Sequence, residues 1–168
     1  YIQRALEARG IEVVVPQASN DLPPAVADHA DLLLHHAGGP ELWMESPFSE
    51  AAGALVERGF QIHGLSFPLG AVYPQDISLC GLLLGDVFVA KEKHVDHGLL
   101  SRCREQGKRI INVPQGYARC SVCIVDGRSV ITADPSIAGA MEQAGFGVLR
   151  IRPGYILLPG YGYGFIGG

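Results

Sequence analysis

Apolar and polar positions along the chain recur in blocks. LVERGFQIHGLSFPLG, CREQGKRIINVPQG and MEQAGFGVLRIRPG share one grammar. A helical pattern stops at a glycine, a short apolar run follows, and Pro-x-Gly or Pro-Gly closes the block. The opening ALEARGIEVVVP repeats the first part of it. The stopping glycines, Gly10, Gly59, Gly107 and Gly145, are spaced by 49, 48 and 38 residues. Glycine suits the left-handed position just past a helix. Upstream of each helix, DLLLHHAGGPELWME, ISLCGLLLGDVFVAKE and CSVCIVDGRSVITAD hold two apolar runs around a turn. The turns are Gly38-Gly39-Pro40, Gly85-Asp86 and Asp126-Gly127, which predict hairpins. Ser49-Glu50 and Asp134-Pro135-Ser136 read as helix starts, with a capping side chain and, in the second, proline in the first turn. Glu92-Lys93-His94 precedes the third helix.

Each block therefore predicts strand–strand–helix–strand, over residues 29–70, 75–116 and 118–154 of a single α/β domain. A helix–strand half over 1–17 precedes them, and a strand-like start over 155–168 follows. One such unit cannot bury its apolar face alone, so neighbours must stack. The chain starts without Met, inside a helical pattern, and stops in a glycine-rich run. It reads as an excerpt of a longer chain. On that reading Tyr1–Gln17 is the outer part of the first unit and Tyr155–Gly168 the extended beginning of the last. Val13, Val15, Ile156 and Leu158 are then expected to be more exposed than their counterparts in complete units. Self-association through the open edges is expected too.

Composition narrows the class. Of 168 residues, 48% are hydrophobic and 18% charged, with a mean hydropathy of +0.19, which excludes a disordered chain. Thirteen basic against 17 acidic residues give a net charge of −4, so no global basic field points to nucleic acid or to an anionic membrane. No apolar run approaches the roughly 18–20 residues of a spanning helix. There are four cysteines and a single CxxC, Cys120 to Cys123; a zinc ribbon needs a second pair. No metal and no cofactor are expected. With no signal sequence, the thiols are expected to be reduced, in the cytoplasm.

The repeat, together with NVPQGYARCSVCIVDGRSVITADPSIAGAMEQAGFGVLRIRPGYILLPGYGYGFIGG, resembles the pentein superfamily. That superfamily holds the guanidino-modifying enzymes and a ribosome anti-association factor. That run is similar to a branch ending in a GFIGG-type motif, from which no activity carries over. The resemblance implies an α/β propeller of ββαβ units around a pseudo-symmetry axis, here an incomplete ring. It also implies a central channel for a small guanidino or amino-acid-like ligand.

The enzymes of that superfamily use a Cys nucleophile, a His acid–base and carboxylates that grip the guanidinium. The resemblance places Asp76 of PQDISLCGLLLGD at the guanidinium-binding acid. It places Tyr117 and Arg119 where the His and Asp of an H-x-D motif belong. Tyrosine is a poor base near neutrality, and arginine favours an anionic ligand over a guanidinium. The literal H-x-D, His94-Val95-Asp96, falls at a helix start on the outer layer. The glycine-rich lead-in to the nucleophile corresponds to Gly160–Gly168. Asp76, Tyr117, Arg119 and Cys120 are thus the ligand-binding candidates, and the catalytic residues stay unassigned. Two readings remain open: an amidinohydrolase- or amidinotransferase-like enzyme, and a non-catalytic binding protein.

Other signals have plainer readings. Gly162–Gly167 fits G-x-G-x-x-G, but a dinucleotide site needs a following helix and an acid about 20 residues on. Glycines crowded at the axis explain it as well. Cys120 and Cys123 read as buried strand residues on opposite faces, with a reactive thiol beside Arg119 as the sharper alternative. His35 and His36 are expected on opposite faces of a strand. Trp43, Met44 and Phe48 are expected to pack between hairpin and helix, and Lys91, Lys93, Arg102 and Arg104 to form a solvated charged face.

Overall fold

Three hairpins, each followed by a helix and a returning strand, account for most of the computed structural model, which describes residues 2–167. A short helix α1 (Ile2–Glu7) opens the chain, and one turn of helix, α2 (Ala30–Leu33), leads into the first unit. That unit comprises β1 (Leu34–Gly38), β2 (Glu41–Met44), α3 (Glu50–Glu57) and β3 (Gln61–Gly64). The second comprises β4 (Leu82–Leu84), β5 (Val87–Ala90), α4 (His97–Glu105) and β6 (Arg109–Asn112). The third comprises β7 (Val122–Asp126), β8 (Ser129–Thr132), α5 (Pro135–Gln143) and β9 (Gly147–Arg150).

Each unit makes its own three-stranded sheet. The hairpin is antiparallel, and the returning strand lies parallel to the hairpin's second strand. The parallel register is the same three times, Glu41 facing Gln61, Val87 facing Arg109 and Ser129 facing Gly147. Local chemistry sets the helix ends. Ser49 Oγ accepts from the Ala52 amide at 3.2 Å, and Asp134 Oδ1 accepts from Ser136 and Ile137 at 2.9 Å each. Both caps fall where the sequence puts them. The third helix, α4, follows Glu92–His94, itself a 3₁₀ turn, and starts at the H-x-D run, where its cap Asp96 accepts from Gly98 and Leu99. The stopping glycines have φ of 70°, 89°, 71° and 90° in chain order, a conformation that other residues rarely adopt.

The core lies between the units. Trp43 and Ala37 of the first pack with Leu79, Phe88, Leu99 and Cys103 of the second. Leu82, Val87 and Val89 of the second pack with Val122, Ile137 and Met141 of the third. A further cluster gathers the segments that lead into all three hairpins: Leu32 and Leu33, Ile77 and Cys80, and Cys120. Gly81, next to Cys80, faces Phe88 of the cluster between the first two units, and a Cβ there would overlap that ring.

Several expectations are corrected. Residues 11–17 form no strand, and Val13 is half-buried, as are Ile62, Ile110 and Val148 on the returning strands. Those strands are sheet edges with one open side, so the expected contrast with complete units is absent for Val13. Ile156 and Leu158 are likewise half-buried, Leu158 against the lead-in cluster; Val15 and Leu157 are the exposed ones. Phe48 does not pack between hairpin and helix but is 100% exposed, because its turn leaves the surface before α3 begins. Tyr1 and Gly168 lie outside the described residues. No helix among the described residues is long and apolar enough to cross a membrane.

Candidate functional site

Asp76 sits in the loop before the second hairpin and is 2% exposed. The Tyr117 hydroxyl donates to its Oδ2, while its Oδ1 is buried with no hydrogen-bond partner among the described residues. An ionised carboxylate so placed is costly unless a donor or a cation answers it. Tyr117 comes from the loop between β6 and β7. Burial, then the bond to Asp76, pushes its hydroxyl well above the ordinary tyrosine pKa. It is therefore a firm donor and no base.

Aromatic rings continue from Tyr117. Tyr73 lies on one side at 5.8 Å between centroids and Phe165 on the other at 5.4 Å, with Tyr163 edge-on to Phe165 at 5.9 Å. The last two belong to the glycine-rich tail. The tail is tied down by backbone bonds from Gly164 to Ile156 and from Gly167 to Cys120, each 2.6 Å. Gly167 has no room for a side chain, since a Cβ would meet the Val122 carbonyl oxygen at 2.1 Å. Between the tail and the body lies a cavity of about 390 Å³, bordered by Val26, His29, Leu32, Tyr117, Cys120 and the tail aromatics. The tail carries no helix among the described residues, so its G-x-G-x-x-G does not build a dinucleotide turn.

Of the sequence candidates, Tyr117 and Cys120 border this cavity, Asp76 is bonded to Tyr117 without bordering it, and Arg119 lies elsewhere. Its guanidinium donates to the carbonyls of Val122 (3.2 Å) and Gly167 (3.1 Å). It lines a separate cavity of about 420 Å³ with Asp31, His35, His36 and Gly81. His35 is buried there with Nδ1 3.0 Å from the Leu79 carbonyl, while His36 on the opposite face is exposed. Burial brings the His35 pKa down to about 4, against the Leu79 bond and with help from the charges of His36 and Arg119.

Cys120 is not on a strand but in the turn entering β7, and Cys123 does not share its surroundings. Its Sγ lies 3.4 Å from Cys80 Sγ. That contact, burial and the nearby Asp31 carboxylate all push its thiol far up. Asp96 of the H-x-D run caps α4 and also accepts from the Ser66 amide, a structural role.

Asp31, Cys80 and the tail aromatics escaped the sequence reading. The tail did carry a signal, aromatics alternating with glycine in GYGYGF. The other two carried none, since only the stacking of units brings them to Cys120. Against known proteins, a search of curated sequences finds no match. One family model matches residues 1–168, that of the Family of unknown function (DUF6873).

Proposed function

The chain belongs to the DUF6873 family, and from its site we propose that it binds a small cationic ligand, guanidinium- or ammonium-headed, beneath the glycine-rich tail. The observation that carries this reading is Asp76, buried, with one oxygen on Tyr117 and the other unanswered. A carboxylate behind a row of aromatic faces is the pairing that recognises organic cations. A ligand head group meets the Tyr117 hydroxyl first and reaches the carboxylate by displacing it. The scaffold we propose is a pentein-type ring. It is supported by three units of identical strand order whose lead-in segments meet in one cluster. The four free thiols support a reducing, cytoplasmic setting.

Binding is the reading tested first, because among the described residues Cys120 is buried against Cys80 and Tyr117 donates to Asp76. Titration calorimetry with arginine, agmatine and methylarginines tests it. Binding is expected for at least one of them, with citrulline as the neutral comparison. Asp76→Asn should weaken it about 10- to 100-fold, the loss of a charge-assisted hydrogen bond. Equal affinity for citrulline, or an unaffected Asp76→Asn variant, would sink the cation reading. Thiol-dependent release of citrulline or ammonia would replace binding with guanidino hydrolysis.

A further inference from the structure

We propose that Asp31, Cys80 and Cys120 form a site for one divalent cation of the zinc class. Their donor atoms, a carboxylate oxygen and two thiol sulfurs, all lie within 4.8 Å of one another. The two sulfurs are 3.4 Å apart. Zinc–sulfur bonds of about 2.3 Å at tetrahedral angles set donors roughly 3.5–4 Å apart, so the cluster is close to ligating geometry without rearrangement. Both cysteines are buried, at 1% and 2% exposure.

A second observation points the same way. Asp31 Oδ2 is buried with no hydrogen-bond partner, and no Lys, Arg or His forms an ion pair with Asp31 among the described residues. A buried acceptor left unanswered costs stability. A cation answers it and turns the three donors into a ligand set. On ligation each thiol gives its proton to solvent, and the 2+ charge offsets two thiolates and one carboxylate to leave −1. Two sulfurs with one oxygen select a borderline-soft ion, since magnesium and calcium take oxygen donors throughout.

The three donors belong to three different units, each two or three residues before the first strand of its hairpin. No local motif is involved. Three protein donors leave one tetrahedral position for water or a small ligand. Approach is available from both cavities, since Cys120 borders the one under the tail and Asp31 the one beside Arg119.

Cobalt(II) titration of the reduced full chain tests the site, because thiolate ligation gives a charge-transfer absorption that nitrogen and oxygen ligands do not. One equivalent should bind with the intensity of two thiolates, and zinc should displace it. Zinc should also raise the melting temperature, and a chelator should reverse the rise. Cys123→Ser should change none of this. Cys80→Ser and Cys120→Ser should each lose the two-thiolate intensity, and Asp31→Asn should weaken binding at least tenfold. Circular dichroism checks that each variant folds; should a serine variant unfold, the wild-type intensity and its persistence in Cys123→Ser decide. No charge-transfer band, or one that needs Cys123, would overturn the proposal. So would a Cys80–Cys120 disulfide that mild peroxide forms equally fast with and without zinc, which would mark the pair as redox-active instead.

Discussion

His35 shows how one side chain ties burial to acid sensitivity. Its ring is nearly enclosed, Nδ1 is engaged by the Leu79 carbonyl, and Nε2 has no partner among the described residues. The folded protein therefore holds it neutral until about pH 4, whereas the unfolded chain takes up the proton near 6.5. Between those values the unfolded state binds more protons, so stability rises with pH. The contribution is complete above about pH 6.5 and is lost as pH falls towards 4. The displacement corresponds to roughly 3 kcal/mol at about 1.36 kcal/mol per pKa unit. Urea unfolding at neutral pH and near pH 4.5 should show a loss of this order, and His35→Gln should flatten the dependence. An equally steep profile in the variant would assign the acid sensitivity to other groups.

Among the elements, helix ends and hairpin turns were the most legible features, because capping and turn chemistry act within a few residues. Asp134, Pro135 and the positive-φ glycines needed no tertiary knowledge. Replacing Asp134 with Ala should cost about 1 kcal/mol, measured by denaturant unfolding. The cost should exceed that of a cap alone, since Asp134 also accepts from Gln115 at 3.0 Å. The start of α4 was legible too, at the H-x-D run after Glu92-Lys93-His94, with Asp96 as its cap, buried and bonded from Ser66. What escaped the sequence was contact between units. Asp76 and Tyr117 were linked there only through the family resemblance, and Cys80 with Asp31 not at all. No periodicity encodes which loops meet 40 or 50 residues apart. Gly81 is a buried instance: Ala there would drive a methyl into Phe88. Gly81→Ala should destabilise by about 1–3 kcal/mol, the range for overpacking; a neutral result would mean that the second hairpin can shift.

At the scale of the whole molecule, the tail is held to the body by the backbone bond from Gly167 to Cys120 and by Leu158 and Phe165 packed on the lead-in cluster. Adding a methyl at Gly167 would collide with backbone carbonyls at Val122 and Arg119, which cannot swing aside. Gly167→Ala should therefore release the tail. Limited proteolysis should cut it sooner and cation affinity should drop, while the melting temperature stays close to wild type. A large fall in melting temperature would show instead that the tail belongs to the cooperative core. Tyr155 and Leu157 on the tail, with Phe48 and Val15 elsewhere, leave apolar side chains in solvent, Leu157 at 91% exposure. Concentration-dependent self-association is expected by size-exclusion chromatography, and Leu157→Ser should reduce it. A monomer at all concentrations would show that these residues stay solvated singly.

The meeting of the three lead-in segments also has a consequence in time. Leu32 and Leu33 leave the ribosome long before Cys120, which follows Asp31 by 89 residues. At about 5–20 residues per second, synthesis keeps them waiting roughly 4–18 s for their partner. The first unit is complete only once Gly64 has emerged, 33 residues after Asp31, and then waits for the remaining 56. During that wait, the apolar face destined for the shared cluster is open to chaperones and to the same face of neighbouring nascent chains. Slowing translation beyond Gly64 should therefore lower the soluble yield, whereas slowing it beyond Thr132, after the third lead-in has emerged, should not.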